Sequence, residues 1–160
     1  MGHKITVEGN GLRFAAAHFA SFGGRCEPLH GHNYKLLIEV QGELTEDAWV
    51  FDFVEMRTLA ASLCKELDHC FLLPLHNPLL VIQQGEDAWS ITCAGRRYVI
   101  PRDDVRPLPI DNATAERLAE WLAGRLREAL RERGAANISA ITVGVEEAPG
   151  QTGWCAIPFL

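Results

Sequence analysis

The chain has 160 residues, a formal net charge of −6, 48% hydrophobic residues and 22% charged residues. This length and composition are typical of one globular domain, so we predict a single domain over residues 1–160. The acidic balance argues against a nucleic-acid partner, and neither a signal-like N-terminus nor a run of about 18 apolar residues predicts export or a membrane span. We therefore expect a cytoplasmic protein with no nucleic-acid or membrane partner.

Two strands are predicted in the first quarter of the chain. Within residues 5–19, apolar residues share one parity, and apolar and polar residues alternate again over residues 34–40. Residues 21–28 between them contain two glycines and a proline, which mark a loop. We expect the two strands to be adjacent and antiparallel.

Two helices are predicted from their caps and their apolar spacing. Asp52 and Glu55 resemble a capping box, and apolar residues then recur at helical spacing over residues 53–67. The second helix begins near Thr114, carries a leucine at every fourth position and stops before Gly134. Each helix therefore has an apolar stripe that a sheet must cover.

The remaining predicted elements are short strands. Residues 79–84, 89–93 and 98–100 are separated by turn residues and predict a β-meander between the helices. Residues 141–147 and 153–157 predict a terminal hairpin. The order ββ, α, meander, α, ββ indicates an α+β domain with both helices on one face of an antiparallel sheet.

The five cysteines form an odd set without Cys-x-x-Cys spacing, which fits neither a disulfide framework nor a zinc ribbon. We expect reduced thiols, most of them buried, at Cys26, Cys64, Cys70, Cys93 and Cys155.

His30-Gly31-His32 presents two imidazoles on one face of a strand, because side chains two residues apart point the same way. His18 ends the preceding predicted strand and can lie beside them. Three neutral nitrogens with a fourth position open are typical of a catalytic zinc site, whereas structural sites are closed by four ligands. We predict a zinc site at His18, His30 and His32; for the His-x-His pair alone, the alternative is two partly exposed loop histidines.

Four further residues are candidates for proton transfer. A thiolate is favoured near a dication, so Cys26 can act as a base, with an inert packed cysteine as the alternative. Glu27 is either a second base or a solvated loop residue. Asp68 and His69 follow the first helix and fit a proton relay; the alternative is a cationic histidine at the helix C-terminus.

Glu147 shares the parity of Val143 and Val145, so it points to an apolar side where a ligand must satisfy its charge. A carboxylate there can accept two hydrogen bonds from neighbouring N–H groups of such a ligand.

Six motifs follow one another along the chain: Phe14-x-Ala16-x-His18, Cys26-x-x-x-His30-Gly31-His32-Asn33, Asp52-Phe53, Leu67-Asp68-His69, Ala113-Thr114-Ala115-Glu116 and Val143-x-Val145-x-Glu147. Their order and spacing resemble the 6-pyruvoyl-tetrahydropterin synthase and 6-carboxytetrahydropterin synthase family over almost the whole chain.

The resemblance implies a tunnelling fold, in which a four-stranded antiparallel sheet carries two helices and three chains form a barrel, usually paired into a hexamer. It implies that the three histidines bind zinc and that Cys26 is catalytic, with Asp68 and His69 as its relay, reached from a neighbouring subunit. Glu147 would anchor the pterin. Thr114 and Glu116 would lie beside it, although Thr114 also fits a simple helix N-cap.

The implied function is a zinc-dependent lyase that converts 7,8-dihydroneopterin triphosphate to 6-pyruvoyl-tetrahydropterin or 6-carboxytetrahydropterin, for pterin or queuosine-type biosynthesis. With a glutamate at position 27, the loop resembles that of a subgroup of the family that makes 6-hydroxymethyl-dihydropterin for folate synthesis. An aldolase-type reaction is therefore the alternative. A non-catalytic metal- or pterin-binding module is a third possibility from another class. Residues 74–109 are longer than the family pattern, and they either wall the active site or extend the oligomer surface.

Overall fold

The computed structural model describes residues 2–160 and consists of two helices packed on one main β-sheet, with a smaller sheet inserted between them. The helices are α1 (Phe53–Leu67) and α2 (Ala115–Glu132), and a 3-10 turn spans Arg102–Asp104. The strands in chain order are β1 (His3–Val7), β2 (Arg13–His18), β3 (Ser21–Phe22), β4 (Arg25–Cys26), β5 (His30–Gly42), β6 (Cys70–Pro74), β7 (Val81–Gln84), β8 (Ala88–Cys93), β9 (Arg96–Pro101), β10 (Val105–Leu108), β11 (Ile138–Ala148) and β12 (Gln151–Pro158).

The 13-residue strand β5 is the centre of the main sheet. On one side it pairs antiparallel with β2 along its first half and with β1 along its second half. On the other side it pairs antiparallel with β11, which pairs with β12. The predicted α+β class and the antiparallel neighbours are therefore confirmed.

The main sheet has seven strands rather than the predicted four. Strand β6 adds to β2 in parallel and β10 adds to β6 in parallel, so the residues flanking the insertion extend the sheet. Neither strand is predicted from the sequence, because each is short and contains a proline, Pro74 or Pro107. Proline in a strand is tolerated mainly at a sheet edge or a strand end, and these are the positions it takes here.

The strand predicted over residues 5–19 is also wrong in part, because it is divided into β1 and β2. Gly9 and Gly11, in the turn between them, have φ angles of 103° and 86°. Such angles are in the left-handed region, which glycine enters at little steric cost. The turn lets both short strands pair with β5.

Both helices are confirmed at their predicted positions. The Asp52 side chain accepts a hydrogen bond of 2.7 Å from the Glu55 amide, which caps α1. The apolar stripes of α1 and α2 pack on the face of the sheet formed by Phe14, Tyr34, Leu36 and neighbouring residues of the same parity. Each large side chain buried in this way contributes about 1.5 to 3 kcal/mol to folding. None of the helices within residues 2–160 is long and apolar enough to cross a membrane.

The predicted meander is confirmed as a separate three-stranded antiparallel sheet of β7, β8 and β9. It has its own small core, in which Trp89 and Ile91 pack against Phe19 and Phe71 from the main sheet side. The insertion is therefore attached to the rest of the chain by apolar contacts as well as by its two ends.

The structure pairs Cys26 of β4 with Cys93 of β8 in a disulfide, with Cα atoms 6.4 Å apart. The prediction of five reduced thiols is therefore wrong for these two residues. The sequence could not reveal the pair, because 67 positions separate its members and spacing alone does not determine connectivity. Cys64, Cys70 and Cys155 are free thiols, buried or half-buried.

A glycine of β12 lies against the first turn of α2. A Cβ atom on Gly153 would be 2.6 Å from the Glu116 amide nitrogen and 2.7 Å from the Ala115 carbonyl carbon. Because these are backbone atoms, we expect Gly153→Ala to lower the free energy of unfolding by about 1 to 3 kcal/mol, measured by urea denaturation. Gly124→Ala is the control: Gly124 lies inside α2, and apart from its chain neighbours and the backbone of its own helix no atom lies within 4 Å of the new methyl group. It should raise stability by up to about 1 kcal/mol. Equal shifts in the two variants would contradict the prediction.

Candidate active site

Three histidines meet where β2 ends and β5 begins. The antiparallel register places His18 opposite His30 and Ala16 opposite His32. The ring centroids are 4.7 Å apart for His18 and His30, 5.1 Å for His18 and His32, and 4.8 Å for His30 and His32. The structure thus brings together the three side chains that the sequence singled out.

Two of the rings are oriented by backbone carbonyls. The Nδ1 atoms of His18 and His30 are each 2.7 Å from a carbonyl oxygen, of Ala113 and Pro28 respectively. A carbonyl can only accept, so Nδ1 carries the proton and the Nε2 lone pair is free to bind a metal, as is usual for metal-binding histidines. His18 is only 1% exposed, and burial lowers its pKa below the ordinary 6.5 despite the opposing bond to Ala113. The neutral form, which metals require, is therefore favoured.

Glu147 joins the histidines to form a four-residue cluster. One ligand atom from each residue can be chosen so that all four lie within 4.8 Å of one another. Glu147 Oε1 is 3.1 Å from His32 Nε2, although the pair lacks hydrogen-bond geometry. The Nε2 atoms of His18 and His32 are buried with no hydrogen-bond partner among residues 2–160. Buried polar atoms without partners are costly, and a metal ion would satisfy them. These donors suit a divalent transition metal.

Glu147 lies at a strand irregularity beside this cluster. The pairing of β11 with β12 shifts register between Glu146 and Ala148, so Glu147 is the unpaired residue of a bulge. Bulges often re-aim a side chain beside a functional site. The parity of Val143 and Val145 predicts a regular strand, so the bulge at Glu147 could not be foreseen from it.

A cavity of about 370 Å³ lies next to the cluster. This volume is in the range of small-ligand sites. Its walls include five of the predicted site residues, namely His18, Glu27, Thr114, Glu116 and Glu147. The Thr114 side chain also accepts a hydrogen bond of 3.3 Å from the Arg117 amide, so the N-cap interpretation of this residue is confirmed beside its place in the wall.

Glu27 is held in the cavity wall by its own loop. Its Oε2 atom accepts a hydrogen bond of 2.9 Å from the Ala20 amide. In return the Glu27 amide donates to the Ala20 carbonyl at 2.9 Å. This reciprocal pair fixes both the backbone and the carboxylate of Glu27, which is therefore not a freely solvated loop residue.

Cys26 lies outside the cavity that Glu27 lines. It is paired with Cys93 and packs against the small core under the meander. It does not line the 370 Å³ cavity. Successive side chains of extended backbone point to opposite sides, so the loop directs Glu27 to the cavity and Cys26 to the insertion.

Asp68 and His69 are paired but lie outside the cavity of the single chain. Asp68 Oδ2 is 2.9 Å from His69 Nδ1, and Asp68 Oδ1 accepts a hydrogen bond of 2.8 Å from the Ala15 amide. The amide of Ala15 and then His69 hold the pKa of Asp68 below its ordinary value. The His69 side chain is 82% exposed and borders a different groove, of about 660 Å³, with Ala15 and Phe71. A role for this pair in a neighbouring subunit stays a prediction.

Sequence reasoning missed two residues near the site. Asn112 holds the loop, because its Nδ2 donates to the Ser21 carbonyl at 2.8 Å and its Oδ1 accepts from the Ser21 amide at 3.0 Å. Asparagine is common in turns, so nothing in the sequence distinguished it. Tyr34 was assigned only to a strand, yet its hydroxyl is buried without a partner among the described residues. Its ring centroid is 5.5 Å from that of His32, and burial raises its pKa.

The sequence of this chain is similar to those of proteins from one family. The chain matches the family model of 6-pyruvoyl tetrahydropterin synthase over residues 5–156. It is 33% identical over 151 residues to a Methanocaldococcus jannaschii protein provisionally named 6-carboxy-5,6,7,8-tetrahydropterin synthase, covering 94% of this chain and 92% of that one. It is 26% identical to the dihydroneopterin monophosphate aldolase of Pyrococcus furiosus, covering 73% of this chain and 71% of that one.

The fold of this chain is also similar to that of solved structures. The 6-pyruvoyltetrahydropterin synthase of Plasmodium vivax superposes with a TM-score of 0.93 at 30% identity, covering 99% of both chains. A second structure of that protein, with a glutamate described as a catalytic residue replaced by alanine, matches with the same TM-score of 0.93.

The contact between Asn112 and Ser21 predicts that this asparagine keeps the loop closed. In Asn112→Ala both hydrogen bonds to the Ser21 backbone are lost, and since each contributes about 0.5 to 1.5 kcal/mol, amide exchange in residues 20–28 should accelerate by roughly tenfold or more. Hydrogen–deuterium exchange with mass spectrometry measures this. Asn137→Ala is a matched control, because Asn137 donates to Glu43 and Val50 at a distant turn. Unchanged exchange of residues 20–28 in Asn112→Ala would show that the loop does not depend on this contact.

Proposed function

The chain belongs to the 6-pyruvoyl tetrahydropterin synthase family, and on this premise we propose that it is a zinc-dependent lyase that cleaves the side chain of a dihydropterin with Glu27 as base. Its fold is the tunnelling fold of that family. The main support for the proposal is that two neighbouring residues of the loop lie in different places. Glu27 lines the cavity beside His18 and Glu147, whereas Cys26 is paired with Cys93.

In this proposal His18, His30 and His32 hold the zinc. Three histidines with an open fourth position are the pattern of a catalytic zinc site, and a fourth protein ligand would close it. We therefore assign Glu147 to the substrate, where its carboxylate accepts two hydrogen bonds from the amino and ring N–H groups of the pterin. When bound, the zinc ion would supply Lewis acidity, which would lower the pKa of the hydroxyls on the side chain of the substrate.

Glu27 then performs the proton transfers. Its carboxylate removes the proton from the second hydroxyl of the substrate side chain. A carbonyl forms at that carbon as the bond between the first and second side-chain carbons breaks. The electron pair of that bond forms a double bond between the first side-chain carbon and the ring, and the electrons of the ring C=N bond move to its nitrogen. Glu27 returns the proton to the first carbon, which becomes a hydroxymethyl group. The products are 6-hydroxymethyl-dihydropterin and a phosphorylated aldehyde.

One relative supports this aldolase-type reaction, since the Pyrococcus furiosus protein is named as a dihydroneopterin monophosphate aldolase. The Plasmodium vivax 6-pyruvoyltetrahydropterin synthase has a glutamate described as catalytic, which supports a catalytic role for a glutamate but not the choice of product. Thr114 and Glu116 complete the cavity wall at the start of α2, where they can contact the pterin.

The second candidate is formation of 6-carboxytetrahydropterin or 6-pyruvoyl-tetrahydropterin from 7,8-dihydroneopterin triphosphate. It is favoured by the 33% identity to the Methanocaldococcus jannaschii protein named for the first of these products. In the family pattern this chemistry uses the cysteine, so it requires the thiol of Cys26 to be free. A non-catalytic metal-binding module is the remaining candidate and predicts no turnover at all.

We also propose that the chain forms a homo-oligomer, a trimer or a hexamer. Strand β12 is at one end of the main sheet, and unpaired strand edges favour pairing with another chain. Trp154 on this strand is 48% exposed. In such an assembly Asp68 and His69 of one subunit would serve as the relay in the site of the next.

The proposal predicts which side chain is essential. Zinc-loaded protein is incubated with 7,8-dihydroneopterin triphosphate without reductant, and the pterin products are identified by mass spectrometry. We expect 6-hydroxymethyl-dihydropterin from the wild type and a loss of kcat on the order of 100-fold to 10,000-fold in Glu27→Gln, because a general base is removed.

The matched control is Glu116→Gln, another carboxylate of the same wall, which should raise KM and leave kcat nearly unchanged. If activity persists in Glu27→Gln and disappears in Cys26→Ala, the glutamate is not the base. Absence of any pterin product from the zinc-loaded wild type would reject an enzymatic function on this substrate.

A further inference from the structure

We propose that Cys93 determines which reaction this chain catalyses. By binding the Cys26 sulfur in the insertion, Cys93 keeps a thiol out of the cavity, so Glu27 is the only base of the loop and carbon–carbon cleavage is the outcome. This inference rests on the proposed function. It gives the insertion between α1 and α2 a direct part in specificity.

The geometry supports a lasting connection between the two cysteines. Cys93 ends β8 and is 1% exposed, within the small core formed with Trp89 and Ile91. Its Cα atom is 6.4 Å from that of Cys26, inside the range that a disulfide spans. The sulfur of Cys26 is therefore held among apolar side chains of the insertion.

A second contact joins the loop to the insertion. The Asn77 side chain donates a hydrogen bond of 2.7 Å to the Ser21 hydroxyl, and Ser21 pairs with Cys26 across the β3–β4 hairpin. Asn77 is 6% exposed, so this contact is shielded from water. The insertion thus holds the hairpin at both of its strands, through Asn77 and through Cys93.

The chemistry of the two loop residues explains why this matters. A disulfide sulfur has no proton to lose and cannot act as a base, whereas a free thiol beside a metal ion is readily ionised. Cys26 and Glu27 are adjacent, so a rotation of the loop backbone, which the bridge to Cys93 prevents, would bring a free Cys26 thiol toward the cavity as a second base. The pairing removes this competitor, while Glu27 is held by its hydrogen bond from the Ala20 amide.

Two variants separate the role of the thiol from that of the bridge. Cys93→Ala and Cys26→Ala both abolish the disulfide, but only Cys93→Ala leaves a thiol at position 26. We expect Cys93→Ala to form 6-carboxytetrahydropterin or 6-pyruvoyl-tetrahydropterin on the order of tenfold or more faster than the wild type, because a new proton-transfer group is available. Cys26→Ala should give the same product as the wild type. A purely structural bridge would affect both variants alike.

Reduction of the wild type is a second test that needs no substitution. Dithiothreitol transfers two electrons and two protons to the disulfide, giving two protein thiols and the cyclic disulfide of the reagent. The reduced wild type should then resemble Cys93→Ala in its products. Cys26→Ala treated in the same way should not change.

Alkylation measures the sequestration of Cys26 independently of activity. Without reductant, iodoacetamide should modify Cys26 in Cys93→Ala and leave it unmodified in the wild type, as read by peptide mass mapping. Modification of Cys26 in the unreduced wild type would overturn the inference. The inference about Cys93 would also be wrong if all variants and both redox states gave the same product at the same rate. That result would leave the proposed function intact. Absence of pterin turnover in every sample would instead reject the proposed function, and the specificity role with it.

Discussion

The pairing of β2 with β5 is the constraint on which the rest of the site depends. Its register sets His18 opposite His30, and a slip of one residue would turn His30 and His32 to the other face of the sheet. Gly31 lies between them against β2, where a Cβ atom would be 2.9 Å from the Ala16 carbonyl oxygen. A glycine at this position lets β2 and β5 approach closely enough to pair. The register is fixed further along by Leu36 and its neighbours of the same parity, which are buried under the helices. The burial that forms the core therefore also brings the three histidines together.

The loop between β2 and β5 divides its reactive residues between two environments. Glu27 is bonded to the Ala20 amide and faces the cavity, while Cys26 is bound within the small core of the insertion. Asn112 adds a physical link from this loop to the segment whose Ala113 carbonyl orients His18. Loop position, ring orientation and the start of α2 are consequently coupled. A change in any one of them is expected to alter the others.

Features that depend on local sequence were predictable, and features that depend on distant partners were not. The caps and spacing around Asp52 and Thr114 predicted both helices, and strand parity placed His18 with His30 and His32. The strands β6 and β10 escaped prediction because parallel pairing joins segments far apart in the chain and because proline weakens the strand pattern. The Cys26–Cys93 pair and the bulge at Glu147 likewise arise from tertiary contacts, which no spacing rule contains.

Anomalous X-ray diffraction at the zinc absorption edge, from crystals of the zinc-loaded protein with a bound pterin, would show which side chains hold the metal and which hold the substrate. We expect one anomalous peak per chain at about 2.0 to 2.1 Å from the Nε2 atoms of His18, His30 and His32. Glu147 should contact the pterin in that complex rather than the metal. A peak at any other position, or zinc closed by Glu147 as a fourth protein ligand with pterin present, would contradict this assignment.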